Sequence, residues 1–245
     1  MKEERFFYVP DAGSRNELPQ EEAVHATRVL RLQEGDDMFI IDGEGNIYEA
    51  VATMTSGKRC SYAIKYKQPQ GRLWTRNIHI AMAPTKMMER VEWLAEKATE
   101  IGIDGLSFLE CRFSERRQLR VDRIEKIVVA AMKQSHKAWK PEISGMVPFR
   151  QFIDQERSGR KFICHCYNEI ERRNLFEMLK EPQRADNGTA QTADKATILI
   201  GPEGDFSLEE VQYAVSHGYV SASLGESRLR TETAALSAVM MAHLA

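Results

Sequence analysis

Over the first seventy residues, apolar positions come in short runs that alternate with polar ones and are separated by turn residues. Such runs are typical of short strands in a small sheet. They predict helical turns over residues 21–30 and strands over residues 6–9, 38–42, 47–54 and 61–66. An Asp-Gly step at residues 42–43 stands where a hairpin turn is expected. The pattern predicts a small β-barrel domain over residues 1–71, ended by the Gln-Pro-Gln-Gly of residues 68–71.

From residue 72 the rhythm changes to apolar strands that alternate with amphipathic helices. Helices are predicted at 87–101, 175–179, 208–217 and the end of the chain, and strands at 77–83, 106–109, 161–166, 197–200 and 220–224. This alternation predicts an α/β domain over residues 72–245, with a mostly parallel sheet and helices on both faces. The segment 180–196 has no aromatic or large aliphatic residue and is expected to be a mobile loop or an insertion.

The last predicted helix differs from the others because it has no polar face. Residues 234–245 include one Ser and one His and carry no charged side chain. Protein must therefore enclose such a helix on every side, and twelve residues are too few to cross a bilayer. We expect a second copy of the chain to cover it, in a homodimer formed through the C-terminal domain.

Composition excludes several classes of protein. A chain of 245 residues with 42% hydrophobic and 29% charged residues is neither collagen-like, nor a coiled coil, nor disordered. No signal-peptide pattern and no run of eighteen apolar residues occurs, so we expect a cytoplasmic protein that binds no membrane. The four scattered cysteines fit reduced thiols, and Cys164-His165-Cys166 lacks the second cluster that a structural metal site would need.

The net charge of −2 hides an uneven distribution along the chain. Residues 112–140 contain nine Lys and Arg against three Asp and Glu. On a helix from residue 121, four of the cations would share one solvated face opposite the apolar one, as a phosphate backbone requires. An ordinary solvated helix is the alternative. The predicted RNA-binding residues are Arg112, Arg116, Arg123, Lys126, Lys133 and Lys137, with Arg5, Arg28 and Arg31 as weaker candidates in the first domain.

Two turns that follow apolar strands carry the remaining candidate chemistry. Residues 200–207 read Ile-Gly-Pro-Glu-Gly-Asp-Phe-Ser, and Ser207 with Glu210 forms a capping box, so backbone amides of the loop stand beside a helix N-terminus. A second turn at residues 223–225 leads to Arg230 and Glu232, just before a helix that Thr231 or Thr233 could cap. On this evidence alone, a plain strand-to-helix connection is the default interpretation of the first turn, and a surface ion pair is as good an interpretation of the second turn as a functional one.

Together these segments resemble one family. Ile-Gly-Pro-Glu-Gly (200–204), Ser-Leu-Gly (223–225) and Leu-Arg-Thr-Glu-Thr-Ala (229–234) are similar to the knotted SPOUT class of S-adenosylmethionine-dependent RNA methyltransferases, and within it to the ribosomal small subunit methyltransferase E family. The resemblance extends to residues 5–7, 25–32, 42–45, 97–102 and 134–141. It implies a deep trefoil knot, a PUA-like first domain, and methylation of uridine N3 in small-subunit (16S) ribosomal RNA, free or in the assembled 30S particle.

The resemblance also implies roles for individual residues. Arg230 would stabilise the uracil oxygens, while Glu232 or Glu203 would act as a base or orient Arg230. Asp205, Lys133 and Lys137 depart from the family pattern, which commonly has glycine, an acid and arginine there. The implied S-adenosylmethionine-binding residues are His165, Ile200, Gly201, Pro202, Glu203, Gly204, Leu224, Gly225, Leu229 and Arg230. Two alternatives stay open: methylation at another position such as ribose 2′-O, and a non-catalytic RNA-binding or ribosome-assembly factor.

Overall fold

The computed structural model describes residues 4–182 and 194–245. The chain divides into two compact units, the first formed by Met1–Arg72 with Val129–Lys140 and the second by Leu73–Val128 with Pro141–Ala245. The loop predicted over 180–196 falls mostly on residues 183–193, which lie outside the described residues. None of the described helices is both long and apolar enough to cross a bilayer.

The first unit is built on a four-stranded sheet, and its strands occupy the four predicted positions. The strands are β1 (Phe6–Tyr8), β2 (Asp37–Ile41), β3 (Asn46–Ser56) and β4 (Arg59–Pro69), in the spatial order β1-β2-β3-β4. β1 pairs with β2 in parallel, and the other two pairings are antiparallel. A short helix, α1 (Gln20–Val24), continues into a π-helical turn, His25–Val29, as the helical pattern predicts. The alternating apolar residues of the strands form the buried core of this unit.

The predicted Asp-Gly turn joins β2 to β3 and is closed by a buried carboxylate. Asp42 accepts hydrogen bonds from the backbone N–H groups of Glu44 (2.8 Å) and Asn46 (3.0 Å) and from the hydroxyl of Tyr48 (3.2 Å). Gly45 has a φ of +94°, and a side chain there would overlap the ring of Trp139. Only glycine fits this position, because it needs both a left-handed backbone and a close approach.

Residues 129–140 pack with the strands of the first unit, which the sequence pattern does not predict. The side-chain amide of Gln70 donates to the carbonyl of His136 (2.9 Å) and accepts from the N–H of Ala138 (2.7 Å). The indole N–H of Trp139 donates to the carbonyl of Gln70 (2.8 Å). A single glutamine, just after the end of β4, thus holds residues 136–139 in place.

The second unit contains a seven-stranded sheet in which every pairing is parallel. The spatial order is β7-β6-β5-β10-β8-β11-β9. The strands are β5 (Asn77–Met82), β6 (Gly105–Glu110), β7 (Glu142–Pro148), β8 (Arg160–Cys164), β9 (Arg173–Asn174), β10 (Lys195–Ile200) and β11 (Val220–Ser223). The pattern predicts five of these strands. It misses β7, which carries an internal glycine, and the two-residue β9.

Helices cover both faces of this sheet, as the alternating pattern predicts. They are α2 (Met88–Ile101), α4 (Phe149–Asp154), α5 (Leu175–Lys180), α6 (Leu208–Ser216) and α7 (Thr231–Leu244). A further helix, α3 (Val121–Gln134), lies between β6 and β7 along the chain. Ala81, Leu199 and Ile163 lie in register on neighbouring strands and share a buried cluster with residues of α4 and α6. Helix α7 packs over the opposite face with α2 and α5. The result is a three-layer α/β unit; the knot implied by the resemblance stays a prediction.

Helix α7 is only partly covered by the rest of the single chain. Ala235, Ala238 and Val239 are completely buried, but Met240 is 40% exposed and Leu244 is 70% exposed. Protein therefore does not enclose this helix on every side within the single chain, and its cover by a second copy stays a prediction. The core of the second unit covers one face of α7, and apolar side chains on another face are exposed to solvent.

Candidate active site

Three segments meet at the carboxyl edge of the parallel sheet in the second unit. Residues 165–167 follow β8, residues 201–206 follow β10, and residues 224–230 follow β11. β8 lies between the other two strands, with Cys164 paired with both Ile200 and Ala222. Because parallel strands end at the same edge of a sheet, the three turns lie side by side, where α/β proteins usually bind ligands.

The loop 201–206 is tightly wound, and an aspartate holds it in shape. Asp205 has a φ of +67°, a left-handed conformation that Asp tolerates better than most residues. Its carboxylate accepts the backbone N–H groups of Phe206 and of Cys166, each at 2.7 Å. The second of these bonds ties this loop to the segment after β8. A side chain on Gly201 would meet the backbone nitrogen of Phe206 at 3.0 Å, so this position has no room for one.

Ser207 ends the loop and begins α6 through the predicted capping box. Its hydroxyl accepts the N–H of Glu210 (3.2 Å), and the Glu210 carboxylate accepts the N–H of Ser207 (2.8 Å). The other oxygen of Glu210 accepts the backbone N–H of Arg112 (2.8 Å). Glu203, in the middle of the loop, accepts the backbone N–H of Lys86 (2.9 Å). These carboxylates therefore connect the loop to the segments that follow β5 and β6.

His165 is buried in this site with one ring nitrogen unsatisfied. Its Nδ1 accepts the backbone N–H of Tyr167 (3.3 Å), and no described residue bonds its buried Nε2. Burial lowers the pKa of His165 below its ordinary value. The imidazole is thus neutral, and an acceptor role for Nδ1 puts the proton on Nε2. A buried N–H without an acceptor points to a bonding partner supplied by a ligand.

Arg230 and Glu232 stand at the beginning of α7, in different surroundings. Arg230 is exposed, and its backbone serves as the N-cap of the helix, so the expectation that Thr231 or Thr233 caps it is wrong. Glu232 is buried, and one of its carboxylate oxygens lies 3.6 Å from the guanidinium of Arg90. The other has no hydrogen-bond partner among the described residues. The sequence does not indicate that Arg90 belongs to the site, because it lies on α2, far from residue 232 along the chain.

The turn after β11 completes this edge. Gly225 has a φ of +116°, and its N–H donates to the hydroxyl of Ser223 (3.2 Å). Leu224 and Leu229, implied as cofactor-binding residues, are both half-buried. No group of three or more His, Cys, Asp or Glu side chains suited to a metal ion occurs among residues 4–182 and 194–245.

Comparison with known families identifies this arrangement. A model of an RNA methyltransferase domain matches residues 72–243, more than two thirds of the chain, and a model of an RNA methyltransferase PUA domain matches residues 18–61. The chain belongs to the RNA methyltransferase family. Its first unit is PUA-like, and its second unit is the methyltransferase domain.

Individual relatives agree with this assignment. The methyltransferase is 24% identical over 235 residues to ribosomal RNA small subunit methyltransferase E of Rickettsia conorii, covering 95% of this chain and 91% of the relative. It is 38% identical to a probable rRNA methyltransferase of Porphyromonas gingivalis, with a TM-score of 0.86 over 98% and 97% of the two chains. The fold is also that of ribosomal RNA small subunit methyltransferase E from Neisseria gonorrhoeae, solved with S-adenosylmethionine (23% identity, TM-score 0.80, 97% and 96% covered).

The basic residues of this methyltransferase differ in their exposure and in their bonding partners. Arg28 and Arg31 are exposed in the PUA-like unit, and neither has an ion-pair partner among the described residues; Arg5 instead pairs with Asp36 (2.8 Å). In the methyltransferase unit, Arg112 is exposed after β6. Arg116 there donates to the backbone carbonyls of residues 85 (3.2 Å) and 86 (2.6 Å).

On α3, the predicted stripe of four solvated cations is wrong in its second half. Arg123 is exposed but paired with Glu92 (2.6 Å), and Lys126 is exposed. Lys133 pairs with Glu22 (2.7 Å) and is mostly buried. Helix α3 ends at residue 134, after which a left-handed residue turns the chain away and leaves Lys137 buried. Helical periodicity cannot anticipate this turn, because it assumes that the helix continues.

Proposed function

We propose that this methyltransferase transfers a methyl group from S-adenosylmethionine to N3 of a uridine in small-subunit ribosomal RNA. The observation that carries this proposal is the meeting of three turns, one glycine-rich and one with a buried unsatisfied histidine, at one edge of a parallel sheet. Membership of the RNA methyltransferase family and the names of the relatives support the reaction class and the RNA.

The residues at this edge fit an adenosyl cofactor. Main-chain groups of residues 200–204 and 224–225 would bind its polar atoms, since the close backbone at Gly201 keeps side chains out of the way. Leu224 and Leu229 would pack on the adenine ring. The Nε2–H of His165 would donate to the cofactor and so satisfy a group that is otherwise buried without an acceptor. When bound, the cofactor supplies a methyl group activated by a sulfonium.

The side chains at the head of α7 would handle the uracil ring. The target base must leave its stack and its base pair, because N3 lies on the pairing edge. Arg230 is exposed and would stabilise negative charge on the ring oxygens as the N3 proton leaves. The carboxylate oxygen of Glu232 that has no hydrogen-bond partner among the described residues would accept that proton, with Arg90 holding the other oxygen. In this scheme Glu203 has a structural role, since it already bonds the backbone of Lys86.

RNA would be held by both units. Arg28 and Arg31 give the PUA-like unit exposed cations for phosphate groups, and Arg112, Arg123 and Lys126 do so in the methyltransferase unit. We assign weaker roles to Arg5 and Lys133, which are paired and only 25% and 20% exposed, whereas Arg112 and Arg123 form ion pairs but are mostly exposed. Arg116 and Lys137 also have weaker roles, because Arg116 bonds backbone carbonyls and Lys137 is buried. Such a substrate implies that the enzyme works in the cytoplasm, on free RNA or on the 30S particle.

The open apolar face of α7 supports a homodimer. Met240 and Leu244 are exposed there, and Trp93 of α2, the helix packed beside it, is 42% exposed. A second copy would remove these side chains from water in a symmetric interface. Sedimentation at micromolar concentration should therefore give a dimer, and Leu244→Glu should give a monomer. A monomeric wild-type protein would contradict this part of the proposal.

A nucleoside-mapping experiment tests the reaction itself. Small ribosomal subunits from cells that lack the enzyme are incubated with it and with S-adenosylmethionine labelled in the methyl group, then digested and analysed by mass spectrometry. We expect label in 3-methyluridine. Label in a ribose-methylated nucleoside would replace N3 by ribose 2′-O as the acceptor. Cofactor binding without any label in RNA would favour a non-catalytic RNA-binding protein.

A further inference from the structure

An exposed aromatic ring stands beside the proposed cofactor loop and has no role in the proposed mechanism. Phe113 is 46% exposed, although it lies in the methyltransferase unit on the segment that directly follows β6. A side chain built on Gly204 would meet the Cβ of Phe113 at 3.3 Å. The ring therefore belongs to the same edge of the sheet as the loop 201–206.

Phe113 lies at the tip of a hydrogen-bonded turn. Cys111 and Ser114 close a tight turn, because the N–H of Ser114 donates to the carbonyl of Cys111 (3.1 Å) and the hydroxyl of Ser114 accepts the N–H of Cys111 (3.0 Å). Arg112 and Phe113 occupy the tip of this turn. Ser114 is buried, so the base of the turn is anchored in the protein while the tip faces outward.

Two further hydrogen-bonded links tie this turn to the neighbouring segments. The backbone N–H of Arg112 donates to Glu210 at the start of α6, and the guanidinium of Arg116 donates to the carbonyls of Thr85 and Lys86 after β5. The turn thus holds Phe113 at an exposed position, and its backbone needs no ordering before a ligand binds.

The charge around the ring suits RNA. Residues 111–120 contain four arginines and one glutamate. The guanidinium of Arg112 lies 5.9 Å from the centre of the Phe113 ring and 3.8 Å from the carboxylate of Glu209, in an ion pair whose arginine side chain is still 63% exposed. An aromatic face next to unburied positive charge is the combination that binds unstacked nucleotides, because the base stacks while the phosphate pairs with the cation.

We infer that Phe113 is the platform on which the extruded uracil stacks when it enters the active site. This inference rests on the proposed function and adds a positioning residue to it. The base that leaves the RNA loses its stacking neighbours, and Phe113 replaces them at the loop that would hold the methyl donor. Arg112 contributes the charge for the adjoining phosphate.

The test compares aromatic and aliphatic residues at one position. Phe113→Leu removes the π face but keeps an apolar side chain, and Phe113→Tyr keeps the face. With small subunits from cells lacking the enzyme, we expect Phe113→Leu to lower kcat/KM for RNA by roughly 5- to 100-fold, the range that loss of one base–aromatic stack produces. Phe113→Tyr should stay within about 3-fold of wild type, and Val215→Ala, at a residue that is 45% exposed on α6, should match wild type.

Two measurements keep this inference separate from the proposed function. Cofactor affinity of Phe113→Leu, measured by calorimetry, should equal that of wild type; a large loss would make Phe113 part of the cofactor site and overturn the inference. In Phe113→Trp, added small subunits should quench the fluorescence of the new indole relative to wild type, as a stacked base does. Full activity of Phe113→Leu would refute the platform even though wild type methylates RNA. Absence of methylation by wild type would refute the proposed function first.

Discussion

Glu232 lies against Arg90 of α2, with 3.6 Å between its carboxylate and the guanidinium, and no hydrogen bond or ion pair joins it to Arg230 among the described residues. This ion pair links the head of the last helix to the helix that follows β5. It leaves Arg230 exposed and Glu232 buried. Two residues that are close in sequence thus have different surroundings: Arg230 faces outward, and Glu232 is held in place from within.

Removing Arg90 should destabilise the protein because it leaves the buried carboxylate of Glu232 without its partner. For Arg90→Ala we expect a loss of about 1–3 kcal/mol in the free energy of unfolding, measured with urea. Arg90→Lys should recover part of this loss. Glu89→Ala, at an exposed position on the same helix, is the control. In the double variant Arg90→Ala with Glu232→Gln, the loss should shrink; additive losses would show that the two side chains do not interact.

Removing Arg230 should stop methylation without unfolding the protein. The side chain is exposed and unpaired among the described residues, so Arg230→Ala should change stability by less than about 0.5 kcal/mol. We expect kcat to fall by about 10²- to 10³-fold, as when a donor to a developing anion is lost. Calorimetry should give cofactor affinity within a few-fold of wild type. Arg228→Ala, exposed on the same turn, serves as control. Loss of cofactor binding would instead make Arg230 a cofactor ligand.

Replacing Asp205 with glycine should destabilise the protein less than replacing it with alanine. Both substitutions remove the bonds to Cys166 and Phe206, but only alanine adds a Cβ to a backbone with a φ of +67°. Asp205→Ala should therefore be less stable than Asp205→Gly by about 1 kcal/mol in urea unfolding, the reverse of the order found in ordinary backbone. Equal stabilities would show that the loop relaxes out of the left-handed conformation.

The exposed arginines of the PUA-like unit should add to RNA affinity through charge alone. Replacing Arg28 and Arg31 by glutamine should weaken binding to small subunits and reduce the slope of log K against log salt by about 0.7–0.9 for each phosphate group that is no longer neutralised. Stability should not change, because neither arginine has an ion-pair partner among the described residues. Lys133→Gln gives the contrast: it should lower stability through Glu22 and leave the salt slope almost unchanged. An unchanged slope in the double arginine variant would remove these residues from the RNA interface.

His79 should make the stability of the methyltransferase unit depend on pH. Burial, helped by the charge of Arg157, lowers the pKa of His79 from 6.5 to about 4, and its ring bonds the hydroxyl of Ser107 (2.8 Å). The folded state therefore favours the neutral ring. The contribution of His79 to the free energy of unfolding is complete above about pH 6.5 and is lost as the pH falls through 4. The full difference is about 3 kcal/mol. His79→Gln should lose less stability than wild type between pH 6.5 and 4, and parallel curves would contradict the assignment.

Local features of the sequence determined much of this structure. The period of apolar residues located the strands of the first unit and five strands of the second, because side-chain alternation depends only on neighbours along the chain. Turn chemistry predicted the hairpin at Asp42 and the capping box at Ser207 for the same reason. The glycine-rich turn and the arginine-containing turn follow β10 and β11, where the pattern of strands predicts them. The apolar pattern does not predict β7, because Gly145 interrupts it.

Pairings between distant residues were decided only by the tertiary structure. Arg90 meets Glu232, Phe113 lies beside Gly204, and Lys133 is neutralised by Glu22, each across a large separation in sequence. No periodicity encodes such pairs, because they depend on the order of strands in the sheet and on where helices end. The amino-acid sequence by itself determined which residues could do chemistry at the sheet edge. Packing decided which charges remain open to a substrate and which are paired inside the protein, since a side chain's charge acts outward only where no partner is within reach.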